Sequence, residues 1–366
     1  MVLKNLVYKK HYLEQKELLE LMALCQMLPG PTSTQTITAI GFRRGGPILA
    51  FLTLMVWATP AVLVMALLAF AYHYMASEVG WNYSTLRYMR PMAVGFVLYA
   101  ALRMAPGVVQ TRIQGTILGS TALLAAFFPA SWFFPLLLVG GGVVTNFTSR
   151  EEAQTKNRRF PINWNNLWLF LGIWALAVIL GNLTQARPIL LFENIYRFGS
   201  IIFGGGQVLV PMMLEHFVST KAYLTSEEFL NGYGLVHALP GPVFSFSTFV
   251  GTLCMQDGGA GAMLLGALIG TFGIFLPGTL LIFFVYPIWE ELKNYRIVTR
   301  SLEGINAAAC GLIAAAAYLL MDSIAFSAPN VGAAALAMLL MRWHRIPTPI
   351  IVLLFIAAGL FVEKIL

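Results

Sequence analysis

The sequence predicts an all-α polytopic membrane protein with about twelve transmembrane segments in two inverted repeats of interrupted helices. Three observations carry this reading. Of 366 residues, 58% are hydrophobic and only 11% are charged, where a soluble domain carries about 25% charged residues. The apolar residues come in blocks long enough to cross a hydrocarbon core of about 30 Å, which takes about 20 helical residues. A Leu-Pro-Gly-Pro element occurs twice, at Leu28–Pro31 and at Leu239–Pro242.

Helix is preferred over barrel because backbone groups in lipid must be satisfied internally. Barrel strands alternate polar and apolar residues over about ten positions, whereas these blocks are apolar all round. The first blocks lie near 18–41, 46–75, 91–105, 113–129 and 131–147. A polar loop follows at 148–163. The later blocks lie near 164–182, 189–213, 228–254, 260–287, 304–321, 328–341 and 346–362. Residues 1–147 read as a first transporter repeat and 189–366 as a second. Between them, 148–188 reads as a cytoplasmic loop and a linking helix.

The repeat rests on a fixed offset of 211 residues. It carries Leu28–Pro31 onto Leu239–Pro242, Tyr12-Leu13 onto Tyr223-Leu224, Glu17 onto Glu228 and Val7 onto Val218. Loop charge orients the halves. Alternate loops place Arg43, Arg44, Arg112, Arg150, Lys156, Arg158, Arg159, Lys221, Lys293, Arg296, Arg300, Arg342 and Arg345 on one side, taken as cytoplasmic. The N-terminal lysines, Arg87, Arg90, Arg187, Arg197 and Lys364 fall on the other, with Arg87 and Arg90 the clearest violations. On this count the repeats are inverted.

The net charge of +7 therefore reads as membrane orientation, and no basic-aromatic stripe suggests nucleic acid. Cys25, Cys254 and Cys310 lie in apolar segments without metal spacing and read as buried thiols. The N-terminal stretch lacks the apolar core and cleavage site of a signal peptide. No phosphate loop, His-Glu-x-x-His or Gly-x-Ser-x-Gly motif occurs. Neither an enzyme nor a cofactor or metal is expected.

Candidate site residues follow from the breaks. Pro29, Gly30 and Pro31, and Pro240, Gly241 and Pro242, interrupt their blocks, since proline suits a helix start and glycine a sharp turn. Each break is followed by hydroxyl and amide groups: Thr32, Ser33, Thr34 and Gln35, then Ser245, Ser247 and Thr248. Helix starts attract anions through free N–H groups and the helix dipole. Two of them opposed in mid-membrane form a cradle for a tetrahedral dianion, as broken transporter helices do for their substrates. Their alternative role is to satisfy carbonyls freed by the prolines. Gly204, Gly205, Gly206 and Gln207 form a second interruption, suited to close packing or ligand contact. Gly140-Gly141-Gly142 reads as packing. Arg43 and Arg44 are placed to attract an anion or to anchor the cytoplasmic edge, and Arg103 to snorkel. His237 is the candidate for proton coupling.

These residues resemble the chromate ion transporter family. The resemblance rests on Leu28–Thr32 with Thr34-Gln35, on Gly41–Gly45, on Phe203–Gln207, on Phe229–Gly234 and on Leu239–Pro242. It implies a two-domain, multi-pass inner-membrane protein that exports chromate, with sulfate as the usual competitor. Two departures stand out. At the 211-residue offset Met1 falls on Met212, so the first-half counterpart of Phe203–Gln207 is expected to be missing. His237 also stands where the family often has Gln.

A dianion leaving a negative interior gains about 4.6 kcal/mol per 100 mV, at about 2.3 per charge. This argues for efflux. Sulfate or other oxyanion uptake is the runner-up, and a membrane subunit without transport of its own is the third reading. The bilayer is the expected partner, and a homodimer is compatible with the sequence.

Overall fold

The computed structural model describes residues 14, 17–18, 21–22, 24–25, 28–77, 86–130, 132–147, 164–203, 206–289, 296–322, 324, 327–343 and 346–365. Among them every regular element is helical. In chain order these are α1 (Thr32–Ser77), α2 (Met89–Val108), α3 (Arg112–Phe127), α4 (Phe133–Phe147), α5 (Asn165–Thr184), α6 (Arg187–Ile201) and α7 (Gly206–Met213). They continue with α8 (Ser226–Val236), α9 (Phe246–Cys254), α10 (Gly259–Val285), α11 (Arg296–Asp322), α12 (Ala328–Arg342) and α13 (Thr348–Ile365). A π-helical turn, Leu214–Thr220, extends α7. Helices α1, α2, α5, α10 and α11 are long and apolar enough to cross a membrane.

The order of the second half repeats that of the first. Shifted by 211 residues, Thr32–Ser77 falls on 243–288, which holds a 3-10 turn (Val243–Ser245), α9 and α10. Helix α2 falls within α11 by the same shift, and α3 and α4 fall on α12 and α13 to within about two turns.

Helix α1 is two helices joined at Gly45 and Gly46, whose backbone leaves the helical region; Gly46 has φ +70°. Pro47 then opens the segment 47–77. The two segments fold against each other. A Cβ on Gly41 would lie 2.4 Å from Thr53 Oγ1 and 2.8 Å from the Ala50 Cα.

The segments before and after each Pro-Gly-Pro are the arms of a hairpin. Glu17, in the partly described helix before the first break, is ion-paired with Arg43 at the end of 32–44. The chain thus returns to the end it entered from. In the second half, Gln256 Nε2 beyond α9 donates to Glu228 at the start of α8, at 3.3 Å. Helix α6 and the α7–π segment close likewise, with the Arg187 guanidinium 4.8 Å from the Tyr223 ring centre.

The first and second hairpins enter from opposite ends. His73, near the far end of α1, contacts Gln256 at the second hairpin's base at 3.2 Å. Phe283 and Tyr286, at the far end of α10, pack on Phe42 at the first hairpin's base, with ring centres 5.1 and 5.4 Å apart. The repeats are inverted in space.

This corrects two sequence expectations. Blocks 18–41, 189–213 and 228–254 do not each cross once; each goes in and comes back. A block of this length fits a single crossing equally well; in 18–41 and 228–254 the positive-φ glycines Gly30 and Gly241 turn the chain, and in 189–213 the Arg187–Tyr223 contact shows the return. The side of Lys221 changes in consequence. It precedes α8 and shares the end that carries Arg187, Arg90 and Glu227, not the end of Arg43. Arg90 pairs with Glu227 across 3.6 Å.

Helix packing uses small residues, as helices in lipid require. The core of the second hairpin is the α9–α10 contact, where a Cβ on Gly266 would lie 2.1 Å from the Gly251 carbonyl oxygen. A second group of helices packs around α11, with Gly141 of α4 against Gly304 and Thr121 of α3 against Gly311. Helix α2 joins the groups through Met89 and Met92, which touch Gly234 of α8. Outward faces such as Val56, Leu63 and Leu67 of α1, and Trp168, Leu176 and Leu183 of α5, are exposed and apolar, as lipid-facing surfaces are. The three cysteines are free and buried.

Candidate functional site

The first hairpin turns at Pro29-Gly30-Pro31. Gly30 has φ +121°, a region closed to residues with a Cβ. Its N–H donates to the Ile202 carbonyl at 2.7 Å, just before the Gly-rich stretch. The freed carbonyls are met locally. Gln35 Nε2 donates to the Pro29 carbonyl at 2.7 Å, and the Gln35 backbone N–H to that of Pro31 at 2.8 Å. Thr36 Oγ1 donates to the Thr32 carbonyl and Thr38 Oγ1 to that of Thr34. Thr34, Gln35 and Thr36 are buried, while Ser33 is exposed. After this accounting, Thr34 Oγ1 and Gln35 Oε1 are buried with no partner.

The second tip repeats the pattern. Gly241 has φ +152°. Ser245 gives both its N–H and its hydroxyl to the Pro242 carbonyl, at 3.0 and 2.9 Å. Thr248 Oγ1 meets Thr271 Oγ1 at 2.9 Å. Ser247 is fully buried and its Oγ has no partner. Thr36 and Thr38 at the first tip and Ser245 at the second therefore serve their own carbonyls, the structural role that the sequence also allows. Each tip also leaves one hydroxyl over, Thr34 Oγ1 and Ser247 Oγ, which stand two positions apart at the 211-residue offset.

Helix α10 sets the spacing. Its Gly270 lies against the Ser247 carbonyl and its Gly278 against Pro31 and the Gln35 side chain. Eight residues of helix place these contacts about 12 Å apart along the axis. The helices after the tips run to opposite ends, so their N-termini open toward each other. The tips also rest on each other's long helices. Gly30 meets Gly278, next to Pro277 of α10, and Gly241 meets Ala61, next to Pro60 of α1. A proline-bearing stretch of long helix supports each foreign tip.

The residues flanking the Gly-rich interruption lie beside the two tips, through the Gly30–Ile202 bond and the packing of α7 on Val243–Ser245. Gly204 and Gly205 fall outside the described residues. Gly206 opens α7, and Gln207 follows in it with a side chain outside the described part. Arg43 and Arg44 are not at the tip. They sit at the hairpin base, Arg43 tied to Glu17 and Arg44 exposed, about 20 Å of helix from Gly30. His237 lies where α8 ends, between the rings of Tyr233 and Phe96, each with its centre 4.9 Å away. Its Nε2 is buried without a partner.

Two residues went unnoticed as site candidates. Asn231 is fully buried, its Nδ2 donating to Tyr72 OH at 3.2 Å and its Oδ1 unpaired. Tyr233 OH is also buried and unpaired. A buried amide and a phenol on the α8 arm of a hairpin were the available signal, since such groups rarely lack a partner.

The chain was compared with known proteins. No solved structure matches it. It is 25% identical to an uncharacterized transporter of Methanocaldococcus jannaschii, over 86% of this chain and 77% of that protein. It is 25% identical to a chromate transport protein of Pseudomonas aeruginosa, over 98% and 85%. To a probable chromate transport protein of Synechococcus elongatus it is 24% identical, over 97% and 88%. The family model for chromate transporters matches residues 1–146 and 189–361. A polytopic helical chain with two opposed broken hairpins, matched over nearly its whole length, belongs to the chromate transporter family.

Proposed function

We propose that the chain moves chromate out of the cytoplasm, holding the dianion between the two hairpin tips. The observation that carries this is the pair of buried, unpartnered hydroxyls, Thr34 Oγ1 and Ser247 Oγ. Each stands in the first turn of its helix, and the two N-termini face each other. An oxyanion there accepts both hydroxyls and the free N–H groups of both first turns. Two opposed dipole ends and neutral donors hold the charge without a buried arginine. Thr32, Ser33, Gln35, Ser245, Thr248 and the Gly204–Gln207 stretch complete the wall.

In this reading residues 1–147 and 189–366 are the two repeats, joined by 148–188. The end rich in arginine, with Arg43, Arg44 and Arg112, faces the cytoplasm of an inner-membrane protein. Arg44 there raises the local anion concentration. Outward movement of a dianion runs with the membrane potential, and His237 exchanges a proton where coupling occurs. Sulfate has the same charge and shape and competes.

Labelled chromate and sulfate offered to everted and right-side-out vesicles test this. Chromate accumulation in everted vesicles, reduced in Thr34→Ala and Ser247→Ala, is the expected result. Sulfate entry into right-side-out vesicles, with no chromate flux in the everted ones, would replace export by uptake. No flux in liposomes of purified protein would remove transport by this chain alone.

A further inference from the structure

Arg87 and Arg90 stand on the end of the molecule that is poor in cations, and the tips make no use of them. They line a cavity of about 390 Å³ with Tyr88, Ser327, Pro329 and Asn330. The cavity lies where two helices begin. Helix α2 starts at Met89, and α12 starts at Ala328 behind its Ser327 cap. Both N-termini bring positive partial charge to one place. No carboxylate is among the cavity's described lining residues.

The protein balances only part of this charge. Arg90 pairs with Glu227 at 3.6 Å, longer than the 2.7–2.9 Å of a strong charge-assisted bond. Arg87 has no ion pair or hydrogen bond among the described residues. Both are half-buried, so two like charges share a partly desolvated space. Such an arrangement is relieved by an anion that accepts from both guanidinium groups. Arginine's fork matches a tetrahedral oxyanion in two-point geometry.

We infer that this cavity is a second anion site, for a phosphate-type group lying between Arg87 and Arg90. The group comes from an anionic lipid headgroup or from a free oxyanion, and the chemistry of recognition is the same. The site is separate from the hairpin tips. It adjoins the second hairpin through Glu227, on the first turn of α8. The inference stands whether or not the tips bind chromate, because its readout is binding and not flux.

The test uses purified full-length protein. Delipidated protein in detergent is titrated with phosphatidylglycerol or phosphatidylcholine and read by native mass spectrometry. In parallel, protein in phosphatidylcholine nanodiscs is titrated with inorganic phosphate and read by calorimetry. A lipid source gives one saturable phosphatidylglycerol adduct per chain, weakened about tenfold in Arg87→Gln and largely kept in Arg87→Lys. A free-ion source gives no lipid preference but an Arg87-dependent heat with phosphate. Arg112→Gln, at the opposite end, is the charge-matched control. The inference is overturned if Arg87→Gln changes neither titration at an unchanged melting temperature. It is equally overturned if Arg112→Gln weakens binding as much.

Discussion

Gly30 and Gly278 meet backbone to backbone: a Cβ on Gly30 would stand 3.3 Å from the Gly278 Cα and 2.8 Å from Gln35 Nε2. The contact joins the turn of one repeat to the proline-bearing helix of the other. Gly30→Ala therefore meets both a forbidden backbone region and a wall. We expect a loss of about 1–3 kcal/mol from the backbone alone. A lowered melting temperature in detergent, with Gly241→Ala showing a similar drop, checks this.

Thr34→Ala and Ser247→Ala separate binding from stability. Each removes a buried hydroxyl that has no partner to lose, so the melting temperature of the ligand-free protein holds or rises. Chromate affinity falls about ten- to a hundredfold per hydroxyl, the range for a hydrogen bond to a charged group. Gln35→Ala differs. It uncaps the Pro29 carbonyl and lowers stability as well as affinity.

The α9–α10 contact makes a sharper stability prediction. At Gly270 a Cβ would lie 2.2 Å from the Ser247 carbonyl oxygen, while at Gly140 it would meet nothing within 4 Å. Gly270→Ala must part the helices and is expected to destabilise by about 1–3 kcal/mol. Gly140→Ala gains about 0.5–1 kcal/mol of helix propensity. Thermal unfolding of the two variants should move in opposite directions.

Arg44 is exposed at the base of the first hairpin, so its effect is long-range. Arg44→Gln should slow chromate entry at low ionic strength. The difference from wild type should shrink at about 1 M salt, where the Debye length is about 3 Å. An initial-rate series against salt measures it. A salt-independent defect would place Arg44 in contact with substrate instead.

His237→Gln tests proton exchange. With the imidazole as the exchanging group, the variant keeps flux but loses the pH dependence that the wild type shows. Flux of both proteins measured across a pH series reads this directly. An unaltered pH profile would leave His237 as a filler between Phe96 and Tyr233.

The helical class was legible because composition alone forces it, and the tips were legible because proline and glycine punctuate every environment alike. The offset that pairs Glu17 with Glu228 was legible too, but not its meaning. Both carboxylates close a hairpin base, Glu17 on Arg43 and Glu228 on Gln256. Sequence hid the hairpins because 24 to 27 apolar residues fit one crossing as well as two short arms. That ambiguity carried Lys221 to the wrong end. Asn231 and Tyr72 are 159 positions apart, and no local pattern announces such a pair. The unpartnered hydroxyls could be singled out only after every neighbouring carbonyl had been assigned.

The crossed supports of the tips have a mechanical corollary. Each turn is seated beside the proline of the opposite repeat's long helix, and each base is held by that same helix's far end, at His73–Gln256 and Phe42–Phe283. A tilt of either long helix thus drags the other repeat's entire hairpin with it. If the chain transports as proposed, the two ends of the molecule are expected to act as one rocker, so that widening one narrows the other without any separate latch.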